Sequence, residues 1–238
     1  MAKEIKVTAD KIYKRKKVYS KFKIILGIVL LLLVFSFIVL SIIYKGGKFT
    51  VTLDRNLALD NNIVIYDDLE TKEGKRKLEA NDLDFMDNIS INWIPSNINN
   101  ERDGSHNGDN YIAYTFYVAN QGEEVIDYWY SIIIDDVIKN VDEAVRVMIF
   151  LNDEKSVYAK INSFTGKEED DTKAFFSDKE AVLENRSGFS PGDIDKFTVV
   201  IWLEGDDPDC VDSILGGEIK MHMEIREEHK GNEETKEK

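Results

Sequence analysis

The stretch EGDDPDCVDSILGG, residues 204 to 217, gathers Glu204, Asp206, Asp207, Asp209 and Asp212 around Cys210 and ends in a glycine pair. Closely spaced carboxylates are the hard oxygen donors that calcium takes, about six to eight oxygens at a time. The spacing is not that of an EF-hand loop, in which acids alternate ahead of a glycine. A second account uses the same residues without an ion. Asp207 caps a short helix, Pro208 is its first residue and Asp209 complements the helix dipole. Cys210, Val211, Ile214 and Leu215 then line one face and Gly216 stops the helix. This account uses nearly every residue, so the stretch is expected to connect two strands. Glu204 and Asp206 are left over, and calcium, if bound, belongs beside them. Cys210 is the single cysteine of 238 residues, which excludes an intramolecular disulfide. Its apolar neighbours predict an inert thiol packed on the core.

The remaining chemistry-bearing residues form no catalytic signature. His106, His222 and His229 are the whole histidine supply, and no HExxH zinc motif occurs. GFSPG is not the GxSxG of a nucleophile elbow, and no glycine-rich phosphate loop is present. No catalytic residue is assigned and no cofactor besides calcium is expected. Paired carboxylates acting on cell-wall or surface substrates remain the alternative, because acids are abundant. Trp93, Trp129 and Trp202 are expected in the core rather than in a sugar-stacking platform, and His222 is expected to face solvent.

The element that places these residues is legible. IILGIVLLLLVFSFIVLSIIY, Ile24 to Tyr44, carries no charge over 21 residues, enough for a helix across a bilayer. Residues 1–23 form a basic segment with nine Lys and Arg against Glu4 and Asp10. The positive-inside bias predicts a single-pass protein of the cell membrane, with a cytoplasmic N-terminus, an anchor at 24–44 and an extracellular domain at 45–226. The run is longer than a signal-peptide core and lacks a small-residue cleavage site, so the anchor is read as uncleaved. Beyond residue 23 the chain holds 22 basic and 43 acidic side chains, a formal charge of −21 that disfavours nucleic acid. EEHKGNEETKEK at the end lacks apolar residues, which predicts a disordered charged tail at 227–238.

The outer domain has a period of two. GEIKMHMEIREE puts Ile219, Met221, Met223 and Ile225 on one face, and KFTVVIWLEG puts Phe197, Val199, Ile201 and Leu203 on another. Further strands are expected at 49–53, 62–66, 89–93, 111–119, 128–134, 145–151 and 157–161, and SDKE at 177–180 has the spacing of a helix-capping box. The fold class is therefore all-β, an antiparallel β-sandwich of jelly-roll or immunoglobulin-like type behind one transmembrane helix.

The succession YTFYVANQGEEVIDYWYSIIID, PGDIDKFTVVIWLEGDDPDC and GGEIKMHMEI resembles the surface β-sandwich proteins of Gram-positive bacteria, the group of TasA-type biofilm-fibre proteins and camelysin. The resemblance covers roughly the C-terminal half and differs at the N-terminus, where an uncleaved anchor stands in place of a processed signal peptide. It implies a jelly-roll-like domain outside the cell with a structural, adhesive or binding role. The implied partners are a surface protein, a polymer or further copies of the chain.

Overall fold

The computed structural model describes residues 9–45, 48–59, 62–71, 73–83 and 85–227, so the expected charged tail lies almost wholly outside the described residues. The chain divides into two compact units, Met1–Gly47 and Lys48–Lys238.

The described residues of the first unit form one helix, α1, Ala9–Lys45. It starts well before the expected anchor because lysine and arginine are good helix formers and no proline interrupts them. Within it, Lys21–Leu40 is long and apolar enough to cross a membrane, and 0% of it is buried.

The second unit is mostly β-structure. Its strands, among the described residues, are β1 (Thr50–Leu53), β2 (Ile63–Tyr66), β3 (Lys77–Glu79), β4 (Gly104–Ser105), β5 (Tyr111–Asn120), β6 (Ile126–Ile138), β7 (Val145–Leu151), β8 (Glu154–Ala159), β9 (Lys173–Ala174), β10 (Glu180–Phe189), β11 (Ile194–Leu203) and β12 (Glu218–Arg226). A short helix, α2, Arg55–Leu59, follows β1. One sheet runs β10-β6-β12-β1-β3 and the other β2-β5-β11-β7-β8-β9, with β4 beside β5. Most pairings are antiparallel, but β1 lies parallel to β12, Thr50 opposite His222 and Leu53 opposite Ile225.

The period-two pattern explains the core. Phe116 and Val118 of β5, Val147 of β7 and Phe197 and Val199 of β11 share one cluster with Tyr130 and Ile132 of β6 and Met223 of β12. Phe116 stacks on Phe197 at 5.2 Å within one sheet, and Tyr130 of the other sheet meets Phe197 edge-on at 5.1 Å. Strand β11 is apolar on both faces, because Val200 and Trp202 on its outer side are buried under Ile89, Ile94 and Ile98. A strap of irregular chain thus covers that sheet.

Three expectations differ. Residues 89–93 form one bridge, Ile89 to Glu204, and then a 3-10 turn at Ile91–Trp93, because Asn92 and Pro95 interrupt any ladder. Strand β8 begins at Glu154 instead of residue 157, since Asn152, at φ 57°, closes a two-residue hairpin from Leu151. SDKE does not open a helix. Ser177 and Glu180 exchange backbone bonds of 2.9 and 3.3 Å across a tight turn, and β10 follows.

Candidate functional site

The acids of residues 204–212 leave the end of β11, where Trp202 lies opposite Arg146 of β7. Both side chains point to the outer side of the sheet. Trp202 is 0% exposed and Arg146 4%, so a guanidinium sits against apolar neighbours and must be paired. Its Nη2 lies 2.5 Å from Asp207 Oδ2 and 4.0 Å from Glu169 Oε2.

Two other contacts fix these carboxylates. Asp209 accepts the Ser163 backbone N–H at 2.9 Å and the Ser163 hydroxyl. Glu169 accepts Asn162 Nδ2 at 2.8 Å, while Asn162 Oδ1 takes the N–H groups of Phe164 and Thr165 at 3.0 and 2.8 Å. One carboxylate oxygen each from Glu169, Asp207 and Asp209 lies within 4.8 Å of the others. Such a trio can hold a cation, and Arg146 already supplies one to Asp207 and Glu169.

Of the five acids singled out in the sequence, therefore, only Asp207 and Asp209 come together. Glu204, 7% exposed, accepts Trp202 Nε1 at 3.0 Å, Ile91 N at 3.1 Å and Asp206 N at 3.3 Å. Its charge is met by three donors, and it pins the strap to β11. Asp206 is exposed, and Asp212 is exposed on a 3-10 turn, Asp212–Ile214. Glu169 was not singled out, because its partners are distant in sequence. Its one signal was the acid run KEEDD in a polar stretch.

The capped helix expected from Pro208 onward does not form. Asp207 Oδ1 instead accepts Asp209 N at 2.7 Å, a local turn, and Oδ2 faces Arg146. Val211 is extended at φ −109° and ψ 162°, which breaks any helix before its second turn. Cys210 is half-buried beside Val141, Ala144 and Ile214, and its Sγ accepts Asn88 Nδ2 at 3.3 Å. Gly217 is required for space, since a Cβ there would lie 2.7 Å from the Ile138 carbonyl oxygen.

The histidines and tryptophans sort differently. His222 is bonded on both ring nitrogens, Nδ1 to Asp135 at 2.8 Å and Nε2 to Glu224 at 3.4 Å. Buried His106 lies between the carbonyl oxygens of Gly104 and Ile98, and His229 is outside the described residues. Trp202 is core, as expected, but Trp93 is 72% exposed. Its chain neighbours Ser90, Ile91 and Asn92, with Asp170, Asp171 and Asp206, line a cleft of about 510 Å³.

No family model matches the sequence, and no curated protein matches it. Among solved structures, the chain is similar to β-glucosidase from Kluyveromyces marxianus in complex with glucose, at 12% identity and a TM-score of 0.24. The match covers 68% of this chain and 15% of that one, so the chain spans a small part of that enzyme's length. A likeness this low carries no argument about fold or activity.

Proposed function

We propose that the chain is a single-pass membrane protein that displays an antiparallel β-sandwich, of jelly-roll or immunoglobulin-like type, at the surface of a Gram-positive cell. Its role there is binding, adhesion or structure. The observation that carries this reading is the helix α1, in which Lys21–Leu40 is apolar, long enough to span a bilayer and 0% buried. About 25 cal/mol is gained for each Å² of such surface removed from water, so the segment belongs in lipid. Nine basic residues within the first 23 support a cytoplasmic N-terminus. Two sheets around one shared cluster support the sandwich.

Protease treatment of intact cells, with alkaline extraction of their membranes, tests the proposal. The expected result is a chain that resists alkaline extraction and loses its C-terminal unit to external protease. A chain released by alkali, or protected from protease until the cells are lysed, overturns it.

A further inference from the structure

Strand β10, Glu180–Phe189, forms one edge of the β10-β6-β12-β1-β3 sheet with ten residues. The other terminal strands are shorter, three residues in β3, four in β2 and two in β9, and Lys75 bridges to Ile65 of β2. An edge strand keeps a row of unpaired N–H and C=O groups that another strand can join.

The bonds of β6 decide which groups of β10 stay open. Ile134 N donates to the Lys179 carbonyl at 2.8 Å, and Tyr128 O accepts Asn185 Nδ2 at 3.4 Å, so the even-numbered residues of β6 turn their backbone groups toward β10. Opposite them lie Val182, Glu184 and Arg186, whose backbone groups are spent within the sheet. Leu183, Asn185 and Ser187 therefore direct theirs away from β6, where no other strand pairs with them among the described residues. The open stretch has definite ends. Ala181 O accepts Phe176 N at 3.4 Å on one side. On the other, Gly188, at φ 69°, breaks the register and donates its N–H to Asp127 Oδ1 at 2.6 Å.

The side chains of this stretch, Leu-Glu-Asn-Arg-Ser, are complementary to themselves in reverse. With a two-fold axis at Asn185, two antiparallel copies set Asn185 opposite Asn185, Leu183 opposite Ser187, and Glu184 opposite Arg186. The outward backbone groups then meet as hydrogen-bonded pairs, each pair exchanging both bonds. An axis at Glu184 or at Arg186 keeps the backbone pairing but sets two glutamates or two arginines face to face, which is destabilising. An axis between two residues sets open backbone groups against spent ones. Charge and backbone thus agree on a single register.

We propose that β10 is a homotypic docking edge, at which two copies of the chain join antiparallel through residues 183–187 about a two-fold axis at Asn185. The proposal deepens the binding role stated above and rests on that reading. It names a second copy of this chain as the partner.

Disulfide trapping of the full chain in nonionic detergent tests it, with Cys210→Ser in every variant so that the introduced cysteine is the single thiol. Opposed residues of such a pair have Cα atoms about 5.5 Å apart, within the roughly 4.4 to 6.8 Å that a disulfide spans. Asn185→Cys is expected to form a linked dimer about tenfold faster than Asn97→Cys, an exposed strap position that reports random collision. Leu183→Cys mixed with Ser187→Cys should link comparably fast. Either alone should stay at the collision rate, because its own copy then lies ~13 Å along the strand. Glu184→Gln keeps an acceptor for Tyr158 Oη but removes the charge opposite Arg186, and should slow the Asn185→Cys linkage about threefold. The proposal is overturned if Asn185→Cys links no faster than Asn97→Cys, if Leu183→Cys or Ser187→Cys alone links as fast as the mixture, or if Glu184→Gln leaves the rate unchanged. It is overturned equally if Asn185→Cys in intact cells links to another protein and not to a second copy. Each of those results leaves the membrane reading intact, because extraction and protease protection do not involve β10.

Discussion

Single side chains hold the ends of the second unit together by satisfying buried charge. Asp195 of β11 is 2% exposed and accepts Tyr128 Oη at 2.7 Å, Arg186 Nε at 2.9 Å and Asn152 Nδ2 at 3.0 Å. Tyr128 and Arg186 belong to the other sheet, so this carboxylate ties the two sheets. Burial, then the Asp195 charge, pushes the Tyr128 hydroxyl well above its ordinary pKa, which keeps it a donor. Asp195→Ala should cost about 3 kcal/mol, read from the urea midpoint, because it strands Arg186 and Tyr128 together. His222 supplies a pH-dependent counterpart. The Glu224 hydrogen bond raises its pKa above 6.5, burial opposes the rise and the Asp135 bond adds to it. A raised folded value means that the stabilisation is complete below pH 6.5 and is lost as pH climbs through the raised value. The urea midpoint should therefore fall between about pH 6 and about pH 9, and the fall should shrink in His222→Gln.

At the scale of elements, the strap and the acidic turn after β11 depend on one another. Ile98 of the strap is 1% exposed on the outer side of the sheet, and Glu204 holds the same strap through Ile91 N. Ile98→Ala should destabilise by about 2 to 4 kcal/mol, with faster amide exchange in residues 89–100 than in β11. Arg146 organises the facing turn. Arg146→Ala leaves the fully buried Asp207 side chain and its neighbour Glu169 without a cation and should cost about 3 to 5 kcal/mol. Calcium should then raise the melting temperature of Arg146→Ala more than that of the parent, since three carboxylate oxygens remain within 4.8 Å. Equal calcium shifts in the two proteins would remove the assignment of Arg146 as the resident cation. Strands β11 and β12 were legible from apolar residues that recur every second position, and β5 and β7 from their β-branched and aromatic residues between Asn, Asp and Gly. The expected helix from Pro208 onward, in contrast, was a local reading of caps, and Arg146, more than sixty residues upstream, outcompetes it for the Asp207 carboxylate.

For the whole molecule, the large apolar cluster lies wholly within Lys48–Lys238, and the membrane-length helix lies wholly within Met1–Gly47. Residues 48–227 alone should fold cooperatively in water, with one urea transition seen by both tyrosine absorbance and amide circular dichroism. The full chain should require detergent. The absence of a disulfide is compatible with this, because a domain of this size can bury enough apolar surface by itself.

The sequence by itself determined the membrane-length helix, the all-β character of the second unit and the inward faces of β11 and β12. These follow from local quantities, an uncharged run of 21 residues and a repeat of two. Only the tertiary structure decided which acids meet. It used Glu204 to fasten Trp202 and the strap, left Asp206 and Asp212 exposed, and brought Glu169 to Asp207 and Asp209 beside a buried arginine. Charge pairing in a buried place is settled by which distant residues the sheets bring within reach, and no spacing along the chain records that distance.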